Sequence, residues 1–400
     1  MKRILISIVF FFLIVGIYSW RGQGVVLAQT ACIQGDANGD GRVTLADFAV
    51  WRSIYLGQNP TPTSGITPTP VSAKAKLILH NWPGGGAISP QYVKDNLTWL
   101  ETNREFLDGV AVIFNGSGEV MTNQPTTYET YMVALAPLKN LPATKLKTNF
   151  ALVFNNKPAD VFDDWTIARQ NWKNLAKAVK DTGLAGIMFD NEEYFEFWGD
   201  WPEYSKYKEK TLNEYQLQTM LRGKQIMEVI VSQFPDIDVM FLHGPYISEP
   251  KSVGKVYALP DYNELKGPFF SGFMQGKGTT ATLIDGGEIY NLRTVDQFNK
   301  AYEWQKNGMS SDETNSAFVP PQLRPIWKRD LSVAYGIYNK PEPSEVWTPA
   351  VYQSTLMNAL NRADDYVWLY TDDESFINIG SPQMGAEWIQ AARNAKNAAQ

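Results

Sequence analysis

Residues 73–400 read as an α/β domain of the (β/α)8, TIM-type class, preceded by a small loop-and-helix module. Three observations predict it. Short apolar runs recur eight times, at 76–81, 109–115, 149–155, 186–190, 238–243, 269–275, 331–338 and 366–371. Amphipathic stretches at 90–106, 163–182, 207–233, 295–307, 352–363 and 385–398 alternate with them, which argues for one parallel sheet wrapped by helices. Finally, Trp82-Pro83-Gly84-Gly85-Gly86 follows the first run without the Gly-x-Gly-x-x-Gly spacing of an open, doubly wound sheet.

The elements ahead of the barrel follow in order. Lys2 and Arg3 precede an apolar run from Ile4 to Trp20, and Val26-Leu27-Ala28 supplies the small residues that signal peptidase requires. Residues 1–28 therefore read as an export signal, with an uncleaved membrane anchor as the competing reading. Cleavage would leave a secreted or cell-surface protein with no membrane segment. It would also remove three basic residues and no acid, moving the net charge from -6 to -9, a balance that argues against nucleic acid as a partner. Cys32 is the only cysteine, so no internal disulfide can form.

Asp36, Asn38, Asp40, Thr44 and Asp47 place side-chain oxygens at the first, third, fifth, ninth and twelfth positions of a loop with Gly41 at the sixth, and Arg42 would add its backbone carbonyl. This is calcium-loop spacing, and calcium is expected there as a structural ion; no cofactor is expected in the barrel. Residues 48–56 have the apolar spacing of a short helix. With Asp at the twelfth position, residues 29–57 resemble one repeat of a type I dockerin. The resemblance implies a cohesin-like partner, or another calcium module, since a single repeat is present. Residues 58–72, with repeated Thr-Pro, read as an extended spacer.

A barrel builds its site at the C-terminal ends of its strands. Those ends carry His80 and Asn81, Asn115, Asn155, Asp190 and Glu192, His243, Gln275, Tyr338, Tyr370 and Glu374. Both histidines of the chain are among them. No Gly-x-Ser-x-Gly elbow occurs, and two isolated histidines are a poor set for a zinc hydrolase. Abundant carboxylates point instead to acid/base chemistry, and glycoside hydrolysis needs two of them flanking one ring. Alternation along residues 186–192 sends Asp190 and Glu192 to the same face.

The segment Gly186-Ile187-Met188-Phe189-Asp190-Asn191-Glu192-Glu193-Tyr194 resembles the fourth-strand Asp-x-Glu-x-Tyr motif of chitinase-like barrels. The resemblance implies Glu192 as proton donor, Asp190 as its orienting neighbour and Tyr194 as a further site residue. Met188 stands where that family has another Asp, so a general glycosidase-like barrel is carried over rather than a chitinase. The second carboxylate is Glu288, in Leu283-Ile284-Asp285-Gly286-Gly287-Glu288, or Glu374 beyond the last strand. Asp285 joins the first of these as a substrate contact. Trp368 and Tyr370 share a strand face and would form an aromatic platform, while Trp198 and Trp201 sit in an aromatic loop that would wall a cleft. The expected substrate is a carbohydrate. Two other classes stay open: a non-catalytic carbohydrate-binding surface protein, and a metal-dependent phosphodiester hydrolase using Asp190, Glu192 and His80.

Overall fold

The computed structural model describes residues 75–81, 86–156, 158–192, 205–245, 265–306, 319–339, 347–372, 374–380 and 382–399. The export signal, the calcium-loop residues and the linker lie outside the described residues, as do Glu193, Tyr194, Trp198 and Trp201. The chain divides into two units, Met1–Pro70 and Val71–Gln400, and all described residues belong to the second.

In chain order the elements are β1 (Lys76–Asn81), α1 (Pro90–Asn103), β2 (Gly109–Val112), α2 (Tyr128–Leu135), β3 (Phe150–Phe154), α3 (Thr166–Thr182), β4 (Gly186–Asp190), α4 (Leu212–Gln233) and β5 (Asp238–Phe241). There follow α5 (Lys266–Gly276), β6 (Thr282–Asp285), α6 (Val295–Lys306), α7 (Arg324–Asp330), β7 (Leu331–Val333), β8 (Tyr335–Tyr338), α8 (Pro349–Arg362), β9 (Tyr366–Thr371) and α9 (Ala386–Ala398). Every strand pairing is parallel, in the order β7-β6-β5-β4-β3-β2-β1-β9-β8. The two ends of that order are consecutive in sequence, separated by Ala334 alone. The Ala334 N–H donates to the Asp285 carbonyl at 2.8 Å and the Gly336 N–H to the Gly287 carbonyl at 3.0 Å. One stretch, 331–338, thus bonds to β6 on one side and to β9 on the other. It closes a barrel of eight staves, the seventh of them interrupted.

Two predicted elements need correction. The run at 269–275 is not a strand: it belongs to α5, whose residues from Lys266 to Met274 are all buried. A uniformly apolar run has no period by which to tell strand from helix, and burial on every side suits either. Here small residues decide it, because α5 packs backbone to backbone on α4: a Cβ on Gly272 would lie 2.1 Å from the Met220 carbonyl oxygen, and one on Gly223 2.2 Å from that of Phe269. The true sixth strand is the four-residue β6, which is absent from the eight runs read in the sequence. Correspondingly, the seventh run is two strands around Ala334.

The sheet's two faces sort by alternation. Ile78, Phe150, Leu152, Met188, Met240 and Trp368 fill the barrel interior. Leu77, Ile187, Phe189, Phe241 and Leu369 face the helices. Trp172 of α3 is fully buried between them, edge-on to Phe189 at 5.4 Å and to Phe273 at 6.1 Å. The helix that leads back to β4 ends on Gly183, which takes the left-handed φ of 80° that a side chain would resist. No helix among the described residues is long and apolar enough to cross a membrane.

Candidate active site

At the end of β4 the Asp190 side chain follows Met188 inward, and Oδ1 accepts the Glu192 N–H at 3.0 Å. This local turn bends the chain out of the strand and aims Glu192. Asn191 couples the same corner to the next stave: its Oδ1 accepts the His243 N–H at 3.0 Å, and its Nδ2 donates to the His243 carbonyl at 2.9 Å. His243, just beyond β5, is held by its backbone rather than by chance packing.

Beyond β6, Gly286 and Gly287 let the chain keep pairing with β5. The Gly286 N–H donates to the Phe241 carbonyl at 2.7 Å and the Glu288 N–H to the Leu242 carbonyl at 3.1 Å. Gly287 has φ 58°, and a Cβ there would lie 2.2 Å from the Ala334 carbonyl oxygen, so only glycine fits both the backbone and the space. Glu288 is delivered beside His243. The imidazole Nε2 stands 3.1 Å from Glu192 Oε1 and 3.1 Å from Glu288 Oε2. The donor atoms of these three residues all lie within 4.8 Å of one another, and the set could also hold a metal ion.

The two glutamates differ in environment. The Glu192 side chain is 37% exposed and that of Glu288 10%. Tyr290, which the sequence reading passed over, donates its hydroxyl to Glu288 Oε1 at 2.5 Å. Burial pushes the Glu288 carboxyl upward, with Glu192 adding to the rise, while His243 and the Tyr290 hydroxyl pull it back. Burial also opposes a charge on His243, but Glu288 and Glu192 outweigh it and raise the imidazole above its ordinary value.

Tyr290 belongs to an aromatic group on the same side. It stacks on Tyr370 at 5.7 Å and meets Tyr338 at 5.3 Å and Trp368 at 6.1 Å. Trp368 itself is fully buried and donates its indole N–H to the Gly286 carbonyl at 2.7 Å, so it supports this group from within the barrel instead of lying open as a platform. Tyr338 and Tyr370 are only half-buried.

The remaining candidates separate clearly. His80 is buried against Trp368 and Tyr370, and burial holds its imidazole down at about 3, neutral under ordinary conditions. Asn81 accepts from the Thr371 hydroxyl and donates to the Gly86 carbonyl at 2.7 Å, tying β1 to β9 and to the following turn. Asn155 is buried with both amide atoms unbonded, next to Asp190, whose carbonyl accepts its N–H at 3.0 Å. Asn115 is exposed, beyond the end of β2. Gln275 lies on α5, not at a strand end, and turns its amide to Met220 Sδ at 3.4 Å. Glu374 offers its backbone carbonyl to Asn339 at 2.6 Å; the carboxylate that shares His243 with Glu192 is that of Glu288.

Asp285 is sealed from solvent and is no open substrate contact. Its Oδ1 accepts the Gly287 N–H at 3.0 Å, Oδ2 is buried without a hydrogen bond, and a Cβ on Gly244 would come within 2.1 Å of Oδ2. Burial pushes this carboxyl up from 3.8 to about 6. A raised folded-state value means that the folded chain holds a proton the unfolded chain has lost between those two limits. Stability therefore falls as pH rises from about 4 to about 6, by an amount of about 3 kcal/mol. Urea unfolding followed by tryptophan fluorescence at pH 4, 5 and 7 should show this fall flattened in Asp285→Asn; parallel profiles for the two proteins would contradict it.

No protein-family model and no curated protein matches the chain. Solved structures similar to it include a GH18 chitinase from Pseudoalteromonas aurantia, at 11% identity and TM-score 0.39, covering 81% of this chain and 100% of that one. A psychrophilic GH10 endo-β-1,4-xylanase is similar at 9% identity and TM-score 0.43, covering 81% and 97%. A D-allulose 3-epimerase from Methylomonas sp. is similar at 9% identity and TM-score 0.40, covering 82% and 98%. Likenesses this distant carry no argument about substrate or mechanism, and the barrel stands on its own strand order.

Proposed function

We propose that the barrel hydrolyses a glycosidic bond with retention of configuration, Glu192 acting as general acid and base and Glu288 as nucleophile. One observation carries the reading: two glutamates from staves four and six meet at the C-terminal end of the barrel, their facing oxygens within 4.8 Å. Double displacement needs carboxyl groups about 5 Å apart, whereas an inverting pair leaves room for water at roughly 6.5–9.5 Å.

Reach and pairing assign the roles: burial favours a protonated Glu288, and the His243 imidazole and the Tyr290 hydroxyl are what favour its ionised, attacking form. Glu192, the more open of the two, can reach a leaving oxygen and later take a proton from water. Glu288, buried and hydrogen-bonded by Tyr290, is oriented to attack the anomeric carbon. The Asp190-x-Glu192 resemblance implies the same proton-donor role for Glu192. Because the interior position 188 holds a buried methionine, the second carboxylate must come from elsewhere, and Glu288 supplies it. Half-buried Tyr338 and Tyr370 offer ring faces to a sugar. Export by residues 1–28 and a structural calcium at Asp36–Asp47 belong to the same proposal, which makes the protein an extracellular enzyme on a tether.

The test is reducing-end release by the full chain across a panel of polysaccharides and oligosaccharides, with the anomer of the product read by NMR. Hydrolysis with retention is expected on at least one glycan. Binding without hydrolysis on any of them would return the barrel to a carbohydrate-binding scaffold.

A further inference from the structure

We propose that Glu192, His243 and Glu288 form a binding site for a divalent transition-metal ion of the zinc class, and that its occupancy switches hydrolysis off. The metal site does not depend on the glycosidase reading; the inhibition rests on it.

Three donors arrive from three consecutive staves onto one point. His243 Nε2 is 3.1 Å from one oxygen of each glutamate. Ligands held about 2.0–2.1 Å from a tetrahedral zinc ion stand about 3.3 Å from one another, so both contacts are close to ligand spacing. Hydrogen bonding does not account for both. Nε2 can carry one hydrogen, and its contact with Glu192 Oε1 has hydrogen-bond geometry. Glu288 Oε2, equally near, is buried and makes no hydrogen bond. Its contact with the His243 imidazole is an ion pair and not a hydrogen bond, and a cation on the shared side of the three donors would bind Glu288 Oε2 together with the other two.

The donor types narrow the ion. One imidazole and two carboxylates form a nitrogen and oxygen set suited to zinc or manganese, whereas calcium takes six to eight oxygens. The supports that such a site needs are also present. Asn191 clamps the His243 backbone from both sides, and the Tyr290 hydroxyl fixes the far oxygen of Glu288. A bound ion would occupy the same lone pairs that proton transfer and nucleophilic attack require, hence the loss of turnover.

Isothermal titration of the full chain with zinc chloride, with calcium in excess to occupy the N-terminal loop, tests the site directly. One equivalent per chain is expected, with affinity at least about a hundredfold weaker in His243→Gln and in Glu288→Gln. Asp296→Asn, on α6 with a side chain 73% exposed, should titrate like the parent. Cobalt(II) added to the unaltered protein should give visible d–d bands of a low-coordinate nitrogen and oxygen site, a readout that does not rely on any variant folding. Zinc uptake unaffected by both substitutions, or cobalt showing only the spectrum of the hydrated ion, would overturn the site. Zinc should also suppress any hydrolysis on the glycan panel, and EDTA should restore it; hydrolysis unchanged at saturating zinc would overturn the switch. Zinc binding in a chain that hydrolyses nothing would leave the site standing and count against the glycosidase reading alone.

Discussion

Glu288→Gln should lower kcat by at least about a thousandfold on every substrate the barrel turns over, natural glycan and activated aryl glycoside alike. The amide keeps the size of the side chain and can still accept from the Tyr290 hydroxyl, so the fold should survive. What it loses is the charge that attacks the anomeric carbon. Glu192→Gln should behave differently. Loss of the proton donor should cost a similar factor on natural glycans but far less on aryl glycosides whose leaving group needs no proton, and added azide should then restore turnover by replacing the missing base catalysis. Kinetics on paired substrates would check both arms. Equal losses on the two substrate types in both variants would remove the proposed division of roles, and full activity in Glu288→Gln would remove the mechanism.

Gly186→Ala should destabilise the barrel by about 3 kcal/mol or more, a fall in Tm of roughly 4 °C or more for a domain of this size. Gly186 opens β4 and pairs in register with Asp238 of β5. A Cβ there would sit 1.9 Å from the Asp238 carbonyl oxygen, and backbone on the far side cannot swing away as a flexible side chain could. The two staves that carry Glu192 and His243 would have to part. Thermal unfolding by circular dichroism checks it, and a shift under about 2 °C would show that the strands accommodate the methyl group.

Local patterns made part of this legible. Alternation placed Met188 and Asp190 on one face because β4 stays extended as far as Asp190, whereas Glu192, singled out by alternation together with the motif resemblance, is aimed by the turn that Asp190 caps. The carboxylate partner was not readable in the same way. Glu288 reaches His243 only because two glycines prolong the β5 pairing past the end of β6, a tertiary event that leaves no periodic trace. Tyr290 was missed for the same reason, since alternation stops at the Gly286-Gly287 turn. The sixth strand was misplaced because Phe269-Phe270-Ser271-Gly272-Phe273-Met274 looks equally apolar from every side, while the real strand offers just four residues. His243 was visible as a polar strand end, but that its one ring nitrogen lies between two carboxylates depends on three staves meeting.

The interrupted seventh stave divides the site's residues along the chain. Glu192, His243 and Glu288 come from staves that are consecutive in the chain and pair directly with one another. Tyr338 and Tyr370 come later in the chain, with the split stave and with β9, the strand that lies between β1 and β8 and removes the last open edges. Without β9, β1 would lose its partner along all six residues from Lys76 to Asn81 and keep only its pairing with β2. The acids thus belong to three neighbouring staves, and two of the aromatic rings beside them, Tyr338 and Tyr370, belong to the strands that close the barrel.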